Sequence, residues 1–179
     1  DAVEPEGPAP AMLMTRLTNS GMVRSVAISP DGRYLVYAED IGDLQALNVK
    51  QIATGTTTTI AEPAAGYYYN LRVSPDGNYI YYSYSLRSEP NVADVYQMPL
   101  LGGAPRRIAA DTEYWYSPSP NGEKIVFTRM NALDREYKMT IAAVDGSGEQ
   151  VILRRKAPQF IERPIWTPDG KSITFYDGD

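Results

Sequence analysis

Asp31, Asp76, Asn121 and Asp169 recur along the chain at steps of 45, 45 and 48 residues, and acidic groups at even spacing raise the question of metal binding. Their neighbours answer it. Each stands third in a short segment: Ser29-Pro30-Asp31-Gly32, Ser74-Pro75-Asp76-Gly77, Ser119-Pro120-Asn121-Gly122 and Thr167-Pro168-Asp169-Gly170. Proline presets a turn-compatible φ, and Asp or Asn followed by Gly tolerates positive φ, so the set reads as four turns rather than four metal ligands. Asp145-Gly146-Ser147-Gly148-Glu149 has the glycines of a phosphate loop but not its Gly-Lys-Ser/Thr ending, nor the twelve-residue calcium pattern, and reads as a hairpin. Glu113, Glu123 and Glu136 contain no pair at a spacing that implies shared acid–base work.

The 179 residues include no histidine and no cysteine. That excludes Ser-His-Asp and Cys-His nucleophile systems, Cys/His zinc sites, haem held by His or Cys, and disulfides. No catalytic residue, cofactor or metal site is expected in this chain. With 17 Lys and Arg against 22 Asp and Glu, the formal charge of −5 argues against nucleic acid or an anionic membrane as the main partner. Arg106-Arg107 and Arg154-Arg155-Lys156 read as solvated strand edges, where charge blocks unwanted pairing. No apolar run approaches the roughly 20 residues that a membrane helix needs. The chain starts at Asp1 without a Met and is expected to be a processed or excised piece of something longer.

The turns must sit between strands. Short apolar runs flank each one: Val23–Ile28 and Tyr34–Tyr37, Leu71–Val73 and Tyr79–Tyr82, Tyr114–Tyr116 and Lys124–Phe127, then Ile165-Trp166 and Ser172–Phe175. β-branched and aromatic residues dominate both flanks, as strands prefer. A third strand follows at Leu44–Val49, Asp94–Met98 and Lys138–Val144. A fourth follows at Thr56–Ile60, Pro105–Ala109 and Gln150–Leu153, after a glycine-containing link each time. Four strands in about 45 residues without helical periodicity is one propeller blade. The expected fold is therefore all-β, a β-propeller of four-stranded antiparallel blades near 22–63, 64–111 and 112–157, a partial blade at 158–179, and a Pro-rich linker over residues 1–11. Met14–Thr18 has the composition of a further fourth strand. Three complete blades cannot close a circle, so the chain is expected to be part of a ring of about six to eight blades, its remaining blades after Asp179. An unfinished last blade leaves an open edge that invites self-association through the end strands.

Tyrosine outnumbers phenylalanine 14 to 3. Tyr82 and Tyr84, on a central strand, are expected in the core. Tyr67, Tyr68, Tyr69, Tyr114 and Trp115 come at the start of first strands, near loops. In a four-stranded blade the 1–2 and 3–4 turns emerge at one end, and the 2–3 loops and inter-blade links at the other. The first end carries the stereotyped turns. The second carries irregular loops, which hold Arg87, Glu89, Asp134 and Arg135, together with the aromatic residues above and Arg163. Irregular loops on a rigid frame are where binding resides, and aromatics with arginine anchor protein interfaces.

The Ser-Pro-Asp-Gly turn between apolar strands, with Gly102-Gly103 before a fourth strand, resembles the TolB-like propeller repeat, a relative of the WD repeat; the Trp-Asp and Gly-His signatures of the latter are absent. Met14–Gly21 followed by Ser25–Gly32 resembles the propeller after the membrane helix of some bacterial serine/threonine protein kinases; similar propellers follow winged-helix regulators. The resemblance implies a non-enzymatic binding or sensing module in the periplasm, tethered to the inner membrane by a preceding helix if the kinase likeness holds. Its partner would be a protein, a peptide or an envelope glycan. Two alternatives stay open: an accessory or gating propeller of a peptidase or hydrolase whose catalytic domain lies outside this chain, and a carbohydrate-binding propeller that stacks sugars on the Tyr and Trp loops.

Overall fold

The computed structural model describes residues 13–178, so the expected linker at 1–11 lies outside the described residues. Every helix or strand assigned among these residues is a strand. The first sheet contains β1 (Val23–Ile28), β2 (Tyr34–Ile41), β3 (Leu44–Gln51) and β4 (Thr57–Ala64). The second contains β5 (Gly66–Val73), β6 (Tyr79–Leu86), β7 (Ala93–Pro99) and β8 (Arg106–Thr112). The third contains β9 (Tyr116–Pro118), β10 (Lys124–Asn131), β11 (Glu136–Ala143) and β12 (Gln150–Lys156), and a fourth pairs β13 (Phe160–Trp166) with β14 (Ile173–Gly178). The sheets are antiparallel meanders in sequence order. The first strands of all four line one open cleft, with Val26, Arg72, Ser117 and Trp166 on its wall. This is consecutive blade architecture, as the repeat spacing predicts.

The repeated turns share one hydrogen-bond design. Ser29 Oγ donates to Asp31 Oδ1 (2.5 Å), which also accepts from Arg33 N (3.0 Å), while Tyr34 N donates to Ser29 Oγ (2.9 Å). The same set recurs at Ser74/Asp76, Ser119/Asn121 and Thr167/Asp169. Each ends on a left-handed glycine: φ is 70° at Gly32, 74° at Gly77, 72° at Gly122 and 68° at Gly170. The side-chain oxygen at the third position is occupied by its own turn, which is why these four residues are not a metal set.

The core is a series of seams between blades. Val36, Ala38, Leu47 and Val49 meet Tyr68, Leu71, Ile80, Tyr82 and Met98 in the first. Tyr81, Val95 and Ile108 meet Tyr116, Ile125 and Phe127 in the second. Val126 and Met139 meet Ile161 in the third. A strand buried on both faces sends alternate side chains into successive seams, so Ile80 and Tyr82 point one way and Tyr81 the other. This explains the unbroken apolar runs.

Three expectations change in detail. Met14–Thr18 is not a strand: the fourth sheet has two strands, so it presents no third strand for that segment to pair with, and Lys50 Nζ instead donates to the Leu17 carbonyl (2.8 Å). Tyr67, Tyr68 and Tyr69 stand at the start of β5, directly after Gly66, as expected, whereas Tyr114 and Trp115 precede the three-residue β9 instead of forming part of the strand. Tyr84 is half-buried, resting against Gly66 and Tyr68, while Tyr82 is fully in the seam.

Candidate functional site: an aromatic and arginine belt

Strand alternation separates the three consecutive tyrosines. Tyr68 turns inward, 7% exposed, its ring 5.3 Å from Tyr82 and 4.9 Å from Tyr84. Burial pushes its hydroxyl pKa up to about 12. Tyr67 and Tyr69, two residues apart, share the opposite face with ring centroids 5.9 Å apart. Tyr68 is therefore a floor residue, and only its two neighbours present rings toward the loop end.

Those rings continue across blades. The Arg87 guanidinium lies over Tyr67 at 4.5 Å. Tyr69 meets Tyr114 at 4.6 Å across the second seam. Trp115, next in the chain, carries the Arg163 guanidinium over its ring at 4.7 Å. Burial raises the hydroxyl pKa of both Tyr69 and Tyr114, so both stay neutral donors. Thus Arg87, Tyr67, Tyr69, Tyr114, Trp115 and Arg163 form one run of contacts over three blades. Two backbone devices shape it: Asn70 and Arg163 adopt left-handed φ of 51° and 52°, each at a register shift in its first strand. Such bulges re-aim side chains.

Beside the belt, a cleft of about 550 Å³ opens between the first two blades, lined by Arg24, Asp40, Gln45, Tyr67, Tyr69 and Arg87 among others. Asp40 accepts from Arg24 Nε (2.6 Å) and from Gln45 Nε2 (2.8 Å). The Gln45 bond first, then Arg24, hold its carboxyl below the usual range. Gln45 also accepts from Tyr68 N (2.9 Å), so one side chain ties the cleft floor together. Sequence reasoning missed Arg24, Asp40 and Gln45. The signal was available, because the β2–β3 link at Gly42-Asp43 must emerge at the same end as the longer loops.

Glu89, Asp134 and Arg135 are not brought to this belt. Glu89 lines a separate cleft with Tyr96 and Arg107. Asp134 accepts from Asn131 Nδ2 (3.0 Å), and the Arg135 carbonyl accepts from Ala157 N (2.9 Å), so both build the β10–β11 turn. The basic clusters are engaged structurally. Arg107 bridges Asp94 (3.2 Å), Arg154 bridges Glu136 (3.0 Å), Arg155 bridges Asp177 (2.9 Å), and Arg106 donates to Gln97 and to the Val144 carbonyl. Among the described residues there is no group of three or more Asp or Glu poised to hold a metal. Glu113 is a partly buried carboxyl: burial raises its pKa, a hydrogen bond from Thr128 Oγ1 (3.1 Å) opposes this, and the charge of Glu162 adds to the rise.

No protein-family model matches the chain. It is 36% identical over 151 residues to the Tol-Pal system protein TolB of Francisella tularensis, across 82% of this chain and 33% of that protein. Among solved structures, putative TolB from Agrobacterium tumefaciens superposes with TM-score 0.67 at 21% identity, over 90% of this chain and 60% of that one. An oligogalacturonate lyase from Vibrio parahaemolyticus superposes with TM-score 0.68 at 15% identity, over 89% and 48%. At such identities the structures speak to fold alone. The chain spans a third to a half of the length of the curated relatives it matches.

Proposed function

Taking the chain as a TolB-like β-propeller, we propose that it is a non-enzymatic protein-binding module that works outside the cytoplasm and engages its partner through the aromatic and arginine belt at the loop end. The observation that carries this reading is the run from Arg87 to Arg163: four aromatic rings and two guanidinium groups, presented by a frame of packed seams. Aromatic side chains lose little entropy on binding, arginine already stacked on a ring is partly ordered in advance, and both types dominate interface energetics. The Tol-Pal name of the Francisella relative favours a protein partner over a catalytic role. The same relative supports a periplasmic placement, and the likeness around Met14–Gly32 supports the sensor region of a membrane-tethered bacterial kinase as one host for such a module.

The test is site-specific photo-crosslinking in an envelope extract, with the crosslinker at Trp115 on the belt and at Thr54 on the turn end. Discrete protein adducts from Trp115 and none from Thr54 support the reading. Equal yields from both ends, or a glycan in place of a protein adduct, overturn it.

A further inference from the structure

We propose that the cleft between the first two blades receives the acidic side chain of a partner protein, with Arg87 as its anchor; this rests on the protein-binding reading above. Arg24 and Arg87 face one carboxylate, Asp40, across the cleft. Arg24 is committed to it at 2.6 Å. Among the described residues Arg87 makes no ion pair, and its Nε, shielded from solvent, has no hydrogen-bond partner. Tyr67 holds the guanidinium plane in place from below. The cleft therefore carries an excess positive charge, and a guanidinium with no hydrogen-bond or ion-pair partner among the described residues, on a protein of net charge −5. A planar guanidinium presents paired N–H donors that match a carboxylate.

The rings argue for a peptide over a sugar acid. Arg87 covers one face of Tyr67, and Tyr69 is tilted by 44° against Tyr67 and by 51° against Tyr114. Sugar stacking needs a flat, open ring face, and this cluster offers edges. The volume of about 550 Å³ suits a side chain with its flanking backbone.

The experiment follows the Arg87 Nε–H resonance of the 15N-labelled chain, assigned by its loss in Arg87→Lys. Three probes are titrated at millimolar concentration: a blocked pentapeptide with a central Glu, the same peptide with Gln, and free galacturonate. The expected result is a saturable shift with the Glu peptide, binding about tenfold or more weaker with the Gln peptide, and, read from the backbone amide resonances of the cleft residues, loss of Glu-peptide binding in Arg87→Gln. Equal binding of the Glu and Gln peptides, galacturonate binding as tight as the Glu peptide, or no shift with any probe overturns the proposal. The Glu/Gln comparison uses the unaltered protein, so it decides even if Arg87→Gln fails to fold. Trp115 crosslinking with a silent Arg87 leaves the protein-binding reading standing and removes only the acidic-cleft proposal.

Discussion

Asn70 and Tyr116 clasp each other across the second seam: Asn70 Nδ2 donates to the Tyr116 carbonyl (3.0 Å), and the Tyr116 hydroxyl donates to the Asn70 carbonyl (2.6 Å). The two residues are 46 apart in sequence and sit on the first strands of adjacent blades. Asn70 is left-handed, a conformation that asparagine tolerates better than most residues, and this turns its carbonyl toward the tyrosine. The clasp sits at the base of the belt, next to the Tyr69–Tyr114 contact.

Tyr116→Phe should therefore destabilise the fold by about 1–2 kcal/mol, because the buried ring stays packed while the partly buried Asn70 carbonyl loses its donor. A double-mutant cycle with Asn70→Gly, read by urea unfolding, should give a coupling clearly different from zero. Each substitution removes one of the two bonds and leaves the other's backbone acceptor in place, so additive effects would show that the bonds act independently rather than as one clasp.

Two glycines separate backbone conformation from packing. At Gly77 (φ 74°) an added Cβ would meet nothing within 4 Å, so Gly77→Val carries conformational strain, about 1–3 kcal/mol. At Gly146 (φ 87°) the same atom would lie 2.6 Å from the Ile108 carbonyl oxygen of the preceding blade. Gly146→Val should cost distinctly more than Gly77→Val in thermal melts, since backbone must move as well.

Acid should weaken the repeat turns unequally. Hydrogen bonds from Ser29, Ser74 and Thr167 are the largest cause lowering the pKa of Asp31, Asp76 and Asp169 below 3.8 in the folded chain. A depressed carboxyl contributes stability that is present above its unfolded value and lost as pH falls through the folded one, so the loss belongs below about pH 4. Asn121 fills the same place without titrating. Asp76→Asn should keep the turn and flatten the decline in urea midpoint between about pH 4 and 2; an unchanged slope would assign acid sensitivity elsewhere.

Glu113 has the opposite sign. Burial holds its folded pKa above 4.5, so it favours folding when protonated and loses that contribution as pH rises through the folded value. Glu113→Gln keeps an acceptor for Thr128 and removes the partly buried charge together with its repulsion from Glu162. Its urea midpoint at pH 7 should equal or exceed that of the unaltered chain, and the gain should vanish near pH 4; a lower midpoint at pH 7 would mean that the charge has an unrecognised partner.

The fold was legible because its determinants are local. A Ser-Pro-Asp-Gly segment makes the same turn wherever it stands, and 45-residue spacing orders the strands whatever surrounds them. Six of the ten loop-end residues singled out meet in one belt for a related reason, since chain topology sends alternate connections to the same end. Glu89, Asp134 and Arg135 fall away because a residue in a loop can equally build the loop, as the Asn131–Asp134 bond does.

What sequence by itself determined is the blade: which segments are strands, where they turn, and which end carries irregular loops. Tertiary structure alone decided which side chains meet between blades. Strands buried on both faces carry no inward-or-outward alternation of polarity, so nothing local distinguishes Tyr68 in the seam from Tyr67 and Tyr69 above it. Likewise the Arg24–Asp40 pair is committed and Arg87 is left with an open donor only because two blades dock at one angle, which brings residues from β1, β2, β5 and the β6–β7 loop to a single cleft.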